Sequence, residues 1–154
     1  GLVMAAGTAL LDLLTAQAKL AGGALGSGRQ FFPWIAMNDL VDIYHRALTD
    51  PMLHGPVNAV APGIVRNREF MATLAEVGGN PLLPRGLRSK MQVPVPAAGP
   101  RLLLGEDGAA ELALADQNVR PAVLADLGHE FRTPELADAL RHELGKNPAR
   151  PLQS

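Results

Sequence analysis

Residues 26–42, GSGRQFFPWIAMNDLVD, join a glycine turn to a short aromatic and apolar strand and then to the start of a helix. Proline has no amide hydrogen, so Pro33 favours a sheet edge or a strand start for the run Phe31–Ile35. Asn38 or Asp39 carries the short polar side chain that caps a helix. The order turn, strand, helix is typical of an α/β protein.

Apolar residues follow this cap at the spacing of one helix face, which predicts a helix that lies flat on a sheet. They are Leu40, Ile43, Tyr44, Ala47 and Leu48. Asp50-Pro51 ends the helix. The apolar run Val57–Ala61 follows the turn at Gly55-Pro56 and is consistent with a buried parallel strand. These segments predict a strand-helix-strand unit.

The sequence before the glycine turn predicts a further strand and helix. Residues 1–6 read as a buried strand, and Thr8 is placed to cap a helix that Gly22-Gly23 ends. The stretch Gly22–Gly28 follows that helix and precedes a strand. A phosphate cradle needs the reverse order, with the glycines between a strand and a helix. We therefore interpret Gly22–Gly28 as a flexible inter-element loop.

After residue 61 the sequence predicts one clear helix and then a region rich in loops. Asn67 is the expected cap of the helix, which stops at Gly78-Gly79. Residues 80–100 hold five prolines and cannot sustain a helix. The stretch 102–117 is mostly compatible with a helix.

Two helices are predicted near the end of the chain. Pro121 opens a short helix that Gly128 closes. Thr133 is the expected cap of the last helix, and Gly145 is its stop signal. Residues 146–154 are predicted to form a disordered tail.

Motifs in a fixed order resemble the C-terminal half of the atypical, nucleoside-diphosphate-sugar epimerase-like members of the extended short-chain dehydrogenase/reductases. They are Trp34–Val41, Gly55–Pro62, Val65–Phe70, Arg101–Glu106, Val119–Ala122 and Gly128–Arg132. The resemblance covers most of residues 23–145. It implies an α/β fold, the C-terminal part of a Rossmann-like parallel sheet of two to three strands plus a mainly helical substrate-binding subdomain. The implied boundaries are 1–79 for the strand-helix units and 80–145 for the subdomain.

The two parts that carry the chemistry of that family are missing from the chain. No glycine-rich loop stands between a strand and a helix, and Tyr44, which is the only tyrosine, is followed four residues later by Leu48 instead of the lysine of a Tyr-x-x-x-Lys pair. We expect Tyr44 to pack on a helix. The chain begins without an initiator methionine, so we interpret it as an excised or cleaved C-terminal piece.

The resemblance then implies a role in substrate binding. The chain is expected to form the substrate-binding portion of an NAD(P)-dependent epimerase or reductase, incomplete without an N-terminal cofactor-binding half as its partner. NAD or NADP would bind the full-length parent and not this chain alone, and no catalytic residue is assigned here. Two alternatives stay open: a non-catalytic binding or interaction module, and a structural lid that only completes the sheet.

Composition excludes several other classes of protein. With 154 residues and 47% hydrophobic content, one compact domain is the expectation. A net charge of −1 argues against nucleic-acid binding. The absence of cysteine and four scattered histidines argue against a metal site. No segment approaches membrane-spanning length, and a cytoplasmic location is expected. Oligomeric state is not predicted.

Five residues are candidates for binding a small polar or sugar-nucleotide-like substrate: Arg29, Gln30, Trp34, Arg66 and Arg120. Arg29 and Gln30 stand on a glycine-flanked loop, where a guanidinium and an amide can bind an anionic or hydroxyl-rich ligand. The alternative is a solvated loop. Trp34 is a candidate pocket floor or, as the favoured alternative, a core residue. Arg66 is placed to face a cleft, and the resemblance puts Arg120 near the pocket, with a surface arginine as the alternative.

Overall fold

A short parallel sheet organises the first half of the protein. The computed structural model describes residues 1–20, 22–78, 93–95 and 116–146, the segment 93–95 by its backbone only. Strand β1 (Leu2–Met4) pairs in parallel with β3 (Trp34–Ala36), with Leu2 opposite Trp34 and Met4 opposite Ala36. The other elements in chain order are α1 (Ala9–Leu20), β2 (Gly22–Leu25), α2 (Met37–Thr49), α3 (Asn67–Gly78), β4 (Val93–Val95), α4 (Ala122–Asp126) and α5 (Leu136–Glu143). The predicted α/β class is confirmed.

Alternating residues of β1 and β3 bury their side chains on opposite faces of the sheet, as the period of two in a strand requires. Met4, Trp34 and Ala36 lie in one core with apolar residues of α1, α3 and α5. Ile35 lies in a second core with Ile43 of α2 and Leu124 of α4. The sheet is therefore covered by helices on both faces.

The predicted loop at Gly22–Gly28 is wrong in its first half. Residues Gly22–Leu25 form β2, which pairs in parallel with β4 in the register Gly22 to Val93 and Leu25 to Val95. Glycine is a local turn signal, but pairing with a strand far along the chain overrides that preference. Only Gly26 and Gly28 have the positive φ angles, 57° and 66°, that a glycine turn requires.

The predicted strand at Val57–Ala61 is also wrong. The structure assigns no strand to these residues, and the Ala61 amide donates a single bond to the Trp34 carbonyl at 2.7 Å. The Val60 amide is used locally, because it donates to the Asn58 carbonyl at 3.0 Å. Val60 and Ala61 are nevertheless buried. The apolar run in the sequence thus reflects burial, not strand pairing.

Helix α2 does not begin with the predicted side-chain cap. Strand β3 runs directly into it, with Ala36 at the cap position and no side-chain bond to the helix start. Asp39 is instead fully buried and accepts the backbone amides of Arg132 at 2.6 Å and Thr133 at 3.2 Å. Asn38 lies 3.2 Å from a ring nitrogen of His142. The partners of both side chains lie 93 to 104 residues away, which no local pattern reveals.

The expected caps at Thr8 and Thr133 are not formed by their side chains either. Thr8 directly precedes α1, but its hydroxyl donates back to the Ala5 carbonyl at 2.8 Å. Helix α5 begins at Leu136, with Glu135 at the cap position and no side-chain bond. Thr133 donates its amide to Asp39 instead.

The predicted ends of α4 and α5 are confirmed, and each is closed in the same way. Gly128 and Gly145 have φ angles of 61° and 64°. Amides past each glycine return to the last turn, from His129 to the Leu124 carbonyl and from Lys146 to the Arg141 carbonyl. This is the glycine-terminated helix end in which the left-handed residue turns the chain back on itself.

The expected apolar face of α2 lies only partly on the sheet. Ile43 is buried and Leu40 is half-buried, but Tyr44 and Leu48 are exposed. The expectation that Tyr44 packs on a helix is therefore wrong. The predicted loop-rich region at 80–100 and the stretch 102–117 lie mostly outside the described residues, as does nearly all of the tail at 146–154. The domain boundary after residue 79 stays a prediction.

Three side chains on one flank of α2, which we call the α2 clasp, hold the segment that connects α4 to α5. They are Asp39, Asp42 and Arg46. Asp42 forms an ion pair with the Arg132 guanidinium through both carboxylate oxygens. The Arg46 guanidinium donates to the Leu127 carbonyl at 2.9 Å and also pairs with Asp50. The clasp fixes residues 127–133 through the backbone groups of Leu127, Arg132 and Thr133 and through the side chain of Arg132.

Asp39→Ala is expected to lower the free energy of unfolding by about 2–3 kcal/mol, because two amides lose their buried acceptor. Asp42→Ala is the matched control on the same helix flank. Its ion pair is solvent-exposed, so its loss should cost about 1 kcal/mol or less. Urea unfolding of the two variants beside the parent protein measures both. Equal costs would contradict the distinction between them.

The C-terminal end of α2 is expected to weaken in acid. The amide of Met52, and after it the Arg46 guanidinium, donate to Asp50 and hold the pKa of its carboxyl below the ordinary value. A carboxyl with a depressed folded pKa stabilises the fold above its unfolded pKa, about 3.9, and this stabilisation is lost as pH falls through the folded pKa. Hydrogen exchange of the Met52 amide, corrected for intrinsic rates, should therefore accelerate in that window. Asp50→Asn keeps an acceptor oxygen but does not titrate. If the acid dependence persisted in that variant, the Asp50 carboxyl would not be its cause.

Candidate functional site

The glycine-containing loop at residues 26–31 is fastened to the beginning of α3 by backbone hydrogen bonds. The Arg68 amide donates to the Gly28 carbonyl at 3.1 Å, and the Asn67 amide donates to the Gln30 carbonyl at 2.9 Å. Phe31 and Arg66 form an isolated antiparallel bridge. The loop is thus held in one conformation although it lies at the surface.

Gly28 is required at its position for two reasons. Its φ of 66° is one that side-chain-bearing residues rarely adopt. A Cβ atom at this position would lie 2.6 Å from the Ala24 Cβ and 3.1 Å from the Arg68 Cβ. The close approach of β2 to the start of α3 therefore depends on this glycine.

Two of the predicted arginines meet on this loop. The Arg66 guanidinium lies over the Phe31 ring, 4.4 Å from its centroid, and donates to the Arg29 carbonyl. Arg66 is half-buried by these contacts, while the Arg29 side chain is exposed. Arg66 therefore braces the backbone from which Arg29 projects.

A third segment reaches the same loop from the C-terminal part of the chain. The Asp116 carboxylate accepts the Phe31 amide at 2.8 Å. Arg120 is exposed and stands four residues after Asp116, a span of at most about 14 Å along the chain. Its carbonyl accepts the Asn58 side-chain amide at 3.3 Å. Asp116 and Phe31 were not predicted, because their contact joins residues 85 positions apart.

The side chains of Gln30 and Trp34 are buried beneath the loop backbone and do not lie on the surface. The buried Gln30 amide donates to the Leu25 carbonyl at 2.9 Å, and its oxygen accepts the Ser27 hydroxyl at 3.3 Å. The buried Trp34 ring donates to the Gly63 carbonyl at 3.0 Å. These contacts give both residues a supporting position, consistent with the core alternative for Trp34. Direct substrate contact by either stays a prediction.

The backbone amides at the start of α3 are hydrogen-bonded within the protein. The predicted cap at Asn67 is wrong: its Oδ1 accepts the buried Leu25 amide at 2.7 Å. Arg66 takes the cap position, since its amide donates to the Glu69 carboxylate at 2.8 Å and its carbonyl accepts the amides of Glu69 and Phe70. The amides of Asn67 and Arg68 are already bound to the loop. The helix start therefore offers no free amide for a phosphate, and positive charge near the loop comes from guanidinium groups.

Neither metal nor membrane features are found within the described ranges. Across residues 1–20, 22–78 and 116–146, histidine, aspartate and glutamate side chains do not gather into a group of three suited to a metal ion. Within the same part of the chain, no helix combines the length and apolar character that crossing a bilayer requires.

Comparison with known sequences finds relatives over most of the chain. A sequence family described as a domain of unknown function, DUF1731, matches residues 95–143. The chloroplastic epimerase family protein SDR39U1 homolog of Arabidopsis thaliana is 38% identical over 135 residues, which are 88% of this chain and 36% of that protein. The human epimerase family protein SDR39U1 is 37% identical over 120 residues, 78% of this chain and 38% of that protein. The chain thus spans less than two-fifths of these relatives.

Two solved structures share the fold. The human epimerase family protein SDR39U1, crystallised with NADPH, superposes with a TM-score of 0.76 at 31% identity, over 94% of this chain and 46% of that one. A nucleoside-diphosphate sugar epimerase from Corynebacterium glutamicum superposes with a TM-score of 0.68 at 35% identity, over 94% of this chain and 25% of that one. The Rossmann-like fold and the family resemblance predicted from the sequence are confirmed.

Gly28→Ala is expected to destabilise the protein by about 3 kcal/mol, from backbone strain at positive φ together with the clash against Ala24. Gly55→Ala is the matched control, because Gly55 has a similar φ of 75° but an added Cβ there would meet no atom within 4 Å. That variant should cost only the backbone term, about 1 kcal/mol. Chemical denaturation of both variants measures the difference, and equal values would show that β2 and α3 do not need this close approach.

Proposed function

Because the chain belongs to the epimerase-like short-chain dehydrogenase/reductase family, we propose that it forms the substrate-binding portion of an NAD(P)-dependent epimerase or reductase. The proposed substrate is a small polar or sugar-nucleotide-like molecule. The observation that carries the proposal is the braced loop, with Arg29 projecting from a backbone that Arg66 and Asp116 hold. A guanidinium binds a phosphate or carboxylate through two parallel hydrogen bonds, so such a loop suits an anionic ligand.

The cofactor of the proposed enzyme does not fit the described part of this chain. A dinucleotide needs free amides at a helix start that follows a strand and glycines. At the turn between β1 and α1, the Ala6 amide already donates to the Glu143 carboxylate at 2.8 Å, which places a negative charge where a pyrophosphate would lie. The start of α3 has no free amide. We assign cofactor binding to an N-terminal portion of a longer protein, as a partner of this chain.

The chain's own residues would bind and orient the substrate. Arg29 and Arg120 would bind its anionic group, while Arg66 holds the loop backbone through Phe31 and the Arg29 carbonyl. Proton transfer is left to the partner portion, because the sequence has no Tyr-x-x-x-Lys pair. The cytoplasmic location expected from the sequence stays a prediction.

The same missing pair supports a second candidate function, a non-catalytic binding or interaction module. The intact mass of the native gene product, captured with an antibody to this chain, distinguishes the two. A product at least twice as long as this chain supports the enzyme, and one of about 16.2 kDa supports the module.

Arg29→Ala and Arg120→Ala, each made in the native gene product, are expected to weaken binding of uridine diphosphate at least ten-fold, about 1.4 kcal/mol. Isothermal titration calorimetry measures the affinity. Arg141→Ala is the matched control, because this exposed arginine pairs with Asp138 within α5. Unchanged affinity in both the Arg29 and the Arg120 variant would instead support the structural lid.

A further inference from the structure

The surface of α2 that faces away from the sheet carries a row of large apolar side chains, which we call the outer stripe. It consists of Met37, Val41, Tyr44 and Leu48, exposed by 36%, 54%, 65% and 87%. Spacings of four, three and four residues place all of them on one side of the helix. Met52, in the turn after α2, is also exposed. Single exposed apolar residues are ordinary, but a continuous row marks a contact surface.

The outer stripe continues the buried face of α2 around the helix. Each residue advances about 100° around the axis, so the stripe is centred about 130° from Ile43, with half-buried Leu40 between them. The α2 clasp lies on the opposite flank, centred about 65° the other way. The apolar arc of α2 is therefore wider than the part that the described residues cover.

The two flanks of α2 differ in what covers them. On the clasp flank, residues 127–133 bind Asp39, Asp42 and Arg46 through directed polar contacts. On the flank of the outer stripe, nothing in the described ranges covers the apolar side chains. The aspartates and the arginine of α2 all lie on the clasp flank, and the residues that border the outer stripe on the solvent side are Asn38 and His45. The outer stripe suits an aliphatic surface and not a charged one.

We propose that an amphipathic helix of the cofactor-binding portion packs on the outer stripe. This inference rests on the function proposed above. The chain spans 36–38% of its relatives, so most of their length lies outside it. Within the described residues, β1 and β3 form a sheet of two strands, whereas sheets in globular proteins usually have about four to six. Helices on one face of an extended sheet pack side by side, about 8–10 Å apart. A helix that accompanies the added strands would lie against α2 on its uncovered flank.

A second copy of this chain is the competing occupant. It would bury the outer stripe against the same surface of another chain. The cofactor-binding portion is the simpler occupant, because one partner would cover the outer stripe and also extend the sheet of β1 and β3.

Cysteine labelling tests the proposal, since this chain contains no cysteine of its own. Leu48→Cys and Val41→Cys probe the outer stripe in the native gene product, and His45→Cys on the solvent side of α2 is the control. The maleimide signal of the unsubstituted native gene product is subtracted, so that any cysteine outside this chain does not contribute. We expect maleimide to react at least ten-fold more slowly with the two stripe cysteines than with the control, at any protein concentration. All three should react alike in urea.

Two results would overturn the proposal. Stripe cysteines that react as fast as the control would show an uncovered surface. Protection that disappears on dilution, in step with dissociation of a dimer in sedimentation, would assign the stripe to a second copy. Neither result depends on ligand affinity. The calorimetry of the Arg29 and Arg120 variants can therefore still support the proposed function when this proposal fails. A native gene product of only 16.2 kDa would contradict both this proposal and the proposed enzyme function, because it would contain no cofactor-binding portion.

Discussion

The buried Asp39 carboxylate makes the contact on which the position of the C-terminal segment 127–146 relative to the sheet depends. It accepts the amides of Arg132 and Thr133 from inside α2, so it ties the helix that follows the sheet to the segment that leads into α5. Because the donors are backbone groups, the contact specifies the path of the chain at 132–133. Helix α5 can then pack against α3 and β1, and the cores on both faces of the sheet are closed.

The candidate site is built from the same kind of contact. The Asn67 side chain receives the Leu25 amide, Asp116 receives the Phe31 amide, and Arg66 binds the Arg29 carbonyl. Each joins a side chain of one segment to the backbone of another. The exposed arginines are therefore presented by a surface loop whose backbone bonds are satisfied within the protein, and little of its order has to be gained when a ligand binds.

Sequence reasoning was most successful where the signal is local. The strand at Trp34–Ala36, the helices after it, and the glycine ends at Gly128 and Gly145 follow from apolar spacing and from positive φ, which adjacent residues determine. It failed where a polar side chain had to choose between a local and a distant partner. Asn38, Asp39 and Asn67 have the chemistry of helix caps, but each binds a group at least forty residues away. The strand at Gly22–Leu25 was missed for the same reason, since its partner, Val93–Val95, is remote. Of the predicted site, Arg29 and Arg66 are brought together, while Gln30 and Trp34 support the loop from below.

The distance along the chain between Asp39 and its amide donors also sets an order of assembly. The carboxylate is synthesised 93 residues before Arg132. At about 5–20 residues per second, a ribosome needs roughly 5–20 s to make that interval. Until then the segment that supplies the two amides does not exist, so Asp39 cannot have its native partners. The polar flank of α2 therefore reaches its native contacts only after the C-terminal segment emerges, whereas the apolar outer stripe takes none of its contacts from that segment.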